Sequence, residues 1–182
     1  QSEAHTDITP FARFWVHNGL LNFGEDKMSK SLGNLITVGE SLTSYSADAV
    51  RIFILSSHYR SPLKYIDGIL GSNERAAERL RNALRHDGPD EDGIDPRPFE
   101  DQFIQAMDSD LNTPQALATL FDLSREINKT ASIGGAVKAA QKSLIRLGDI
   151  LGLTFRSTAR EQYDNNSKYL IDLIVNVRTE LR

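Results

Sequence analysis

The second half of this chain is dominated by apolar stripes at helical spacing, and these constrain its fold more than any other feature. Leu117, Leu120, Phe121 and Ile127 form one stripe. Val137, Ala140, Leu144, Leu147 and Leu151 form a second, and Leu170, Leu173, Ile174, Val177 and Leu181 a third. No such face can bury itself within its own helix, so the three predict an antiparallel helical bundle. The punctuation agrees. A helix from about Pro98 to Met107 precedes the stripes. Asn112-Thr113-Pro114 supplies a cap followed by proline at an early helical position, and Gly152 is placed to stop the second stripe. Upstream, a helix starting near Asp67 or Ser72 runs to about Arg85, with Leu70, Ala77, Leu80 and Leu84 on one face. Gly68 and Gly71 weaken its first turn. Residues 87–98, DGPDEDGIDPRP, are acidic and rich in Gly and Pro, and read as a linker.

The first third reads differently. Phe14, Trp15, Val16, Leu20, Leu21 and Phe23 bracket Asn18-Gly19, which predicts two short strands about a turn. A loop follows from Gly24 to Asn34, and the pattern turns helical from Val38. Ser46 is placed as an N-cap. The helix after it, Ala49 to Leu55, is apolar almost all round and is expected to be buried. Ser61-Pro62 ends that unit.

Composition removes several function classes. The chain has 182 residues, no cysteine, and four scattered histidines (His5, His17, His58, His86), so it offers neither a thiolate metal site nor a histidine pair on one turn. No apolar run is long enough to span a bilayer, and the polar start is no signal peptide. A soluble, cytoplasmic protein without membrane contact is expected. A net charge of −4 argues against a broadly basic nucleic-acid binder, while leaving room for a local basic patch.

One segment carries recognisable chemistry. Lys27-Met28-Ser29-Lys30-Ser31 is followed by Leu32-Gly33-Asn34. Two ammonium groups three residues apart on a Gly-flanked loop can reach one anionic ligand, and compact lysine charges on flexible stems suit phosphate oxygens. Ser29 and Ser31 add hydroxyl donors, and Met28 can anchor the loop. An exposed lysine-rich turn would show K-x-x-K as well, but the longer string with His17-Asn18-Gly19 before it is far more specific.

The string KMSKS resembles the second signature of class I aminoacyl-tRNA synthetases. FARFWVHNG, KMSKSLGN and DAVRIFILSSHYRSPLKY together resemble the cysteinyl members. Asp48-Ala49-Val50-Arg51 matches the DALR-type tetrapeptide with Val in place of Leu. Met107–Asn128 is similar to the helical-domain stretch, departing at Ser109 and Leu111, where Asp and Phe are usual. The resemblance runs along the whole chain. It implies a mainly α fold: short strands and the KMSKS loop from the end of a Rossmann-type catalytic domain, then an antiparallel bundle of the DALR type. The implied division is 1–37 for the catalytic end, 38–66 for a stem-contact region and 67–182 for the bundle.

The resemblance also implies function. The parent enzyme joins cysteine to tRNA(Cys) with ATP and Mg2+, by way of cysteinyl-adenylate. Lys30 is implied as the principal catalytic lysine and Lys27 as a supporting one, stabilising charge that builds on the phosphates in the transition state. Met28, Ser29 and Ser31 complete the ATP-binding loop. The family's HIGH motif and zinc ligands are not found in this sequence, so the chain is expected to be an excised, inactive segment, with no metal site of its own and a parent that is a monomer. Arg75, Arg79, Arg81 and Arg85 flank the polar face of their helix and are the candidate tRNA contacts, although Glu74 and Glu78 partly neutralise them and a solvated helix shows the same pattern. Trp15 and His17 are read as packing residues. Asp48 and Arg51 are placed to pair, and Asp108 and Asp110 to complement a helix dipole. Two other functions remain open: a related ligase that joins cysteine to an amino-sugar inositol, and a non-catalytic helical interaction module.

Overall fold

The computed structural model describes residues 1–23, 26–27 (backbone), 36–89 and 93–156. The third apolar stripe, at 170–181, lies outside the described residues. Helix α1 (Ser2–Thr6) starts the chain. Strands β1 (Leu21–Phe23) and β2 (Asp26–Lys27) precede helices α2 (Val38–Ser44) and α3 (Ala47–Leu55). Strand β3 (Leu63–Tyr65) leads to α4 (Ile69–Leu84), α5 (Arg97–Asp108), α6 (Thr113–Ser132) and α7 (Lys138–Ile150).

The sheet has the order β2-β1-β3. β1 is antiparallel to β2, with Asn22 opposite Lys27, and parallel to β3, with Asn22 opposite Lys64. The expected strand pair about Asn18-Gly19 is not formed. Gly19 serves a different need: a Cβ there would collide with the Ser61 carbonyl, and its N–H donates to Tyr59 O at 2.7 Å. It is a point of close backbone approach, not a hairpin turn.

Capping decides several helix starts. Thr37 and Glu40 form a reciprocal capping box on α2. The Ser46 side chain accepts from Ala49 N, and the Asn112 side chain accepts from Gln115 N, as their positions led one to expect. Gly152, at φ +74, follows α7. The core lies where α4, α6 and α7 converge, with Leu80, Leu120, Leu123, Ile127 and Leu144 at 0–1% exposure and Phe103 of α5 closing one side. α3 is buried less completely than its composition suggests. Ala49, Ile52 and Phe53 face inward, while Ile54 is 52% exposed.

Candidate functional site

The sequence placed its chemistry on Lys27 to Ser31. The structure fixes the backbone of Lys27 in β2, held in register by the central strand β1. Met28, Ser29, Lys30 and Ser31 lie outside the described residues. Beside this strand pair the packing is aromatic: Tyr65 stacks on Phe23 and meets Phe53 edge-on, each at 5.7 Å between centroids. An apolar hollow of about 80 Å³ opens between Leu21, Val38, Phe53 and Leu70. Trp15, read as a packing residue, is 71% exposed, and His17 is exposed as well.

The four arginines of α4 separate in the structure. Arg81 is a correction: it is 4% exposed and cannot meet a ligand. Its guanidinium donates to Glu74 at 2.6 Å, to Glu78 at 2.8 Å and to Arg156 O at 3.1 Å. Glu74 in turn accepts from the N–H and hydroxyl of Ser46, so Arg81 ties the start of α3 to α4. Burial pushes the Glu74 carboxyl up, but the Ser46 N–H, Arg81 and the Ser46 hydroxyl outweigh it and hold the group below its ordinary value. Arg85 is exposed and paired with Glu78 at 2.9 Å. Arg75 is exposed and donates to Ser72. Arg79 differs from all three. Its guanidinium lies 5.6 Å from the centre of the Phe121 ring, and among the described residues it makes no ion pair.

Arg79 and Phe121 stand where two hollows between α4 and α6 meet. One, of about 280 Å³, is polar and lined by Ser124, Arg125 and Asn128. The other, of about 370 Å³, runs past Asn73, Ser72, Pro114 and Leu117 toward Ser56. Arg125 gives one nitrogen to Asp122 at 2.8 Å, leaving further N–H donors. Asn128 Oδ1, which can only accept, takes a hydrogen bond from His86 Nε2 at 2.8 Å. Sequence reasoning did not single out Arg125 or Asn128, and it assigned Phe121 to the core. The signal was present: Phe121, Arg125 and Asn128 follow i, i+4, i+7 spacing on one face of α6.

Two acidic readings also change. Asp48 is buried, and its carboxylate accepts from the N–H and hydroxyl of Thr154, at 2.8 and 3.1 Å, where pairing with Arg51 was expected. It joins the start of α3 to the chain after α7. Asp108 is the last residue of α5, not a helix start, and the α6 N-terminus is served by Asn112. Asp110 accepts from Tyr59 across the turn between α5 and α6.

The chain has no cysteine, and among the described residues no three His, Cys, Asp or Glu side chains gather in a way that could hold a metal ion. Among the described residues, no helix is long and apolar enough to cross a membrane.

The comparisons with known proteins agree with this layout. Residues 1–75 match the model of the class I (C) tRNA synthetase catalytic domain, and residues 102–156 match the DALR domain. Cysteine–tRNA ligase of Dehalococcoides mccartyi strain BAV1 is 47% identical over 185 residues, covering 100% of this chain and 40% of that protein. Cysteine–tRNA ligase of Fervidobacterium nodosum is 42% identical over 195 residues, covering 100% and 41%. The chain thus spans about two fifths of the length of these relatives. A solved ternary complex of Agrobacterium radiobacter K84 agnB2 LeuRS with tRNA and LeuAMS shares the fold, with a TM-score of 0.55 and 20% identity over 71% of this chain and 20% of that one. With one match ending in α4 and the other running from within α5 through α7, the chain carries part of a class I (C) tRNA synthetase catalytic domain together with a DALR domain.

Proposed function

We propose that this chain is the KMSKS-bearing and tRNA-contacting part of a cysteine–tRNA ligase. The observation that carries the reading is KMSKSLGN at residues 27–34, inside a chain that aligns along its whole length with proteins of that name. The substrates are cysteine, ATP with Mg2+, and tRNA(Cys); the enzyme is a cytoplasmic monomer.

In this reading the loop closes over ATP as the cysteine carboxylate attacks the α-phosphorus. Charge builds on the phosphate oxygens and on departing pyrophosphate. Lys30 meets that charge in the transition state, with Lys27 in support and the hydroxyls of Ser29 and Ser31 donating to phosphate oxygens. The chain's own contribution is placement: β1 fixes Lys27 in register at the foot of the loop. Zinc in the parent belongs to residues outside this sequence, and no step here depends on it.

The tRNA backbone meets the groove between α4 and α6. Arg79 is its strongest donor, because its charge faces a ring and not a carboxylate. Arg125 and Asn128 line the same hollow. Arg75 and Arg85 are flanking contacts at most, and Arg81 is not one.

The test uses the full-length enzyme. Cysteine-dependent exchange of pyrophosphate into ATP must be present, and Lys30→Ala must slow adenylate formation by roughly 10²–10³ with little change in cysteine affinity. An unchanged single-turnover rate rejects the role given to Lys30. Absence of cysteine-dependent exchange in the wild type rejects the ligase reading.

A further inference from the structure

The turn between α5 and α6 is held in an unusual way. Asp110 and Leu111 both adopt left-handed backbone, at φ 56 and 53, which non-glycine residues rarely do and which two in succession do less often. Three consecutive side chains or rings from the α3–β3 loop converge on Asp110. Tyr59 donates its hydroxyl to Asp110 Oδ1 at 2.8 Å, and Arg60 Nη2 reaches the same oxygen at 3.3 Å. His58 Nε2 lies 3.0 Å from the Asp110 carbonyl. The three are locked to one another as well. The His58 and Tyr59 rings stack at 4.8 Å, and Arg60 Nε donates to the Tyr59 hydroxyl at 2.8 Å.

The backbone of the same loop grips the strand that leads to Lys27. Ser61 N bonds to His58 O at 2.8 Å and closes the turn. Tyr59 O accepts from Gly19 N at 2.7 Å, Ser61 O sits where a Gly19 Cβ would be, and Leu63 N donates to Leu20 O at 2.9 Å. β1 starts one residue later and pairs directly with β2. A continuous set of bonds therefore runs from the bundle turn to the backbone of Lys27, with Asp110 at one end and Gly19 in the middle.

We propose that Asp110 is a positioning residue for adenylation: clamped by Tyr59 and Arg60, it fixes the 58–63 loop, and through Gly19 and Leu20 it sets the strand pair that carries Lys27. This rests on the ligase reading above. The geometry favours positioning over simple stability for two reasons. Asp110 is exposed and contributes little to the core. Its partners sit in a segment whose backbone bonds reach Gly19 and Leu20, at the start of β1. Misplacing a catalytic group by about 1 Å costs on the order of 10²-fold in rate, so a slack clamp has a measurable consequence.

The experiment measures single-turnover adenylate formation by the full-length enzyme, with each rate divided by the number of active sites titrated from the adenylate burst. Asp110→Ala should lower the rate per site by roughly 10- to 100-fold with KM for cysteine unchanged. Tyr59→Phe should act in the same direction, and the double variant should be no slower than the slower single one, because both remove one interaction. Asp110→Asn keeps an acceptor for Tyr59 and should retain most of the rate. Arg146→Gln breaks the Glu100–Arg146 pair between α5 and α7, which shares no residue with the clamp, and should leave the rate per site unaltered. A wild-type rate in Asp110→Ala overturns the proposal, as does an equal loss in Arg146→Gln. If the wild type forms no cysteinyl-adenylate, the ligase reading fails by itself. The clamp is then judged by hydrogen exchange at the Gly19 and Leu63 amides, which Asp110→Ala must accelerate and Arg146→Gln must not; equal exchange in all three proteins overturns it.

Discussion

Replacing Arg81 by Ala tests how far the α3–α4 junction depends on one buried charge. The guanidinium is 4% exposed, and its partners Glu74 and Glu78 are 25% and 29% exposed. Removing one member of a fully buried ion pair costs about 3–5 kcal/mol, because the surviving charge is left uncompensated. Glu74 keeps its bonds from Ser46, and both carboxylates reach some water, so the expected loss is smaller, about 2–4 kcal/mol. With a urea dependence of about 2 kcal/mol per molar, the midpoint of unfolding should fall by roughly 1–2 M. The effect should also depend on pH. Glu74 titrates below its ordinary value of 4.5 in the folded protein, so the stability it contributes is fully present above 4.5 and is lost as pH falls through the lowered folded value. Once Glu74 is protonated its pair with Arg81 is lost while the bonds to Glu78 and the Arg156 carbonyl remain, so the gap between wild type and variant should narrow. Urea titrations at neutral and acid pH measure both quantities. A loss under about 0.5 kcal/mol at neutral pH, typical of a surface pair, would refute the reasoning. So would a gap between the two proteins that stays constant as pH falls well below 4.5.

Other expectations follow from the same packing. Leu120→Ala and Leu144→Ala, each at a position with 0% exposure, should cost about 2–5 kcal/mol in urea denaturation. Gly19→Ala should cost about 1–3 kcal/mol, since its Cβ meets the Ser61 backbone and not a movable side chain, and amide exchange at Leu20–Phe23 should rise with it. Asn112→Ala removes the acceptor for Gln115 N and should cost about 1 kcal/mol, read as a shift in thermal midpoint. Cognate tRNA binding to the full-length enzyme should show a log K against log salt slope smaller by ~0.7–0.9 in Arg79→Gln, while Arg81→Gln leaves the slope unchanged because that side chain is buried and paired with Glu74 and Glu78.

The bundle was legible in the sequence because its signals are local. Leu117, Leu120 and Ile127 on α6, and Val137 to Leu151 around α7, bury on the face their spacing predicts, and Asn112 caps where a cap was expected. The errors came where contacts are distant in sequence. The Asn18-Gly19 dipeptide has the composition of a turn, yet Gly19 is required by a backbone 42 residues away at Ser61. Arg81 has the periodicity of an exposed residue, yet Glu74, Glu78 and the Arg156 carbonyl draw it inside. Asp48 finds Thr154, which no local rule connects to it. Phe121 was placed rightly on the core stripe, since it packs against the core, but only the packing of α4 against α6 shows its ring also lying under Arg79. The lysines of the signature loop were singled out by residue type, spacing and family resemblance, and Lys30 lies outside the described residues.

The central claim is the acceptor. The full-length enzyme, supplied with labelled cysteine and ATP, should be offered tRNA(Cys) and an amino-sugar inositol in the same reaction. The account predicts label esterified to tRNA, released by mild base, and none on the amino sugar. Label in a base-stable amide with the amino sugar, with tRNA left uncharged, would contradict it.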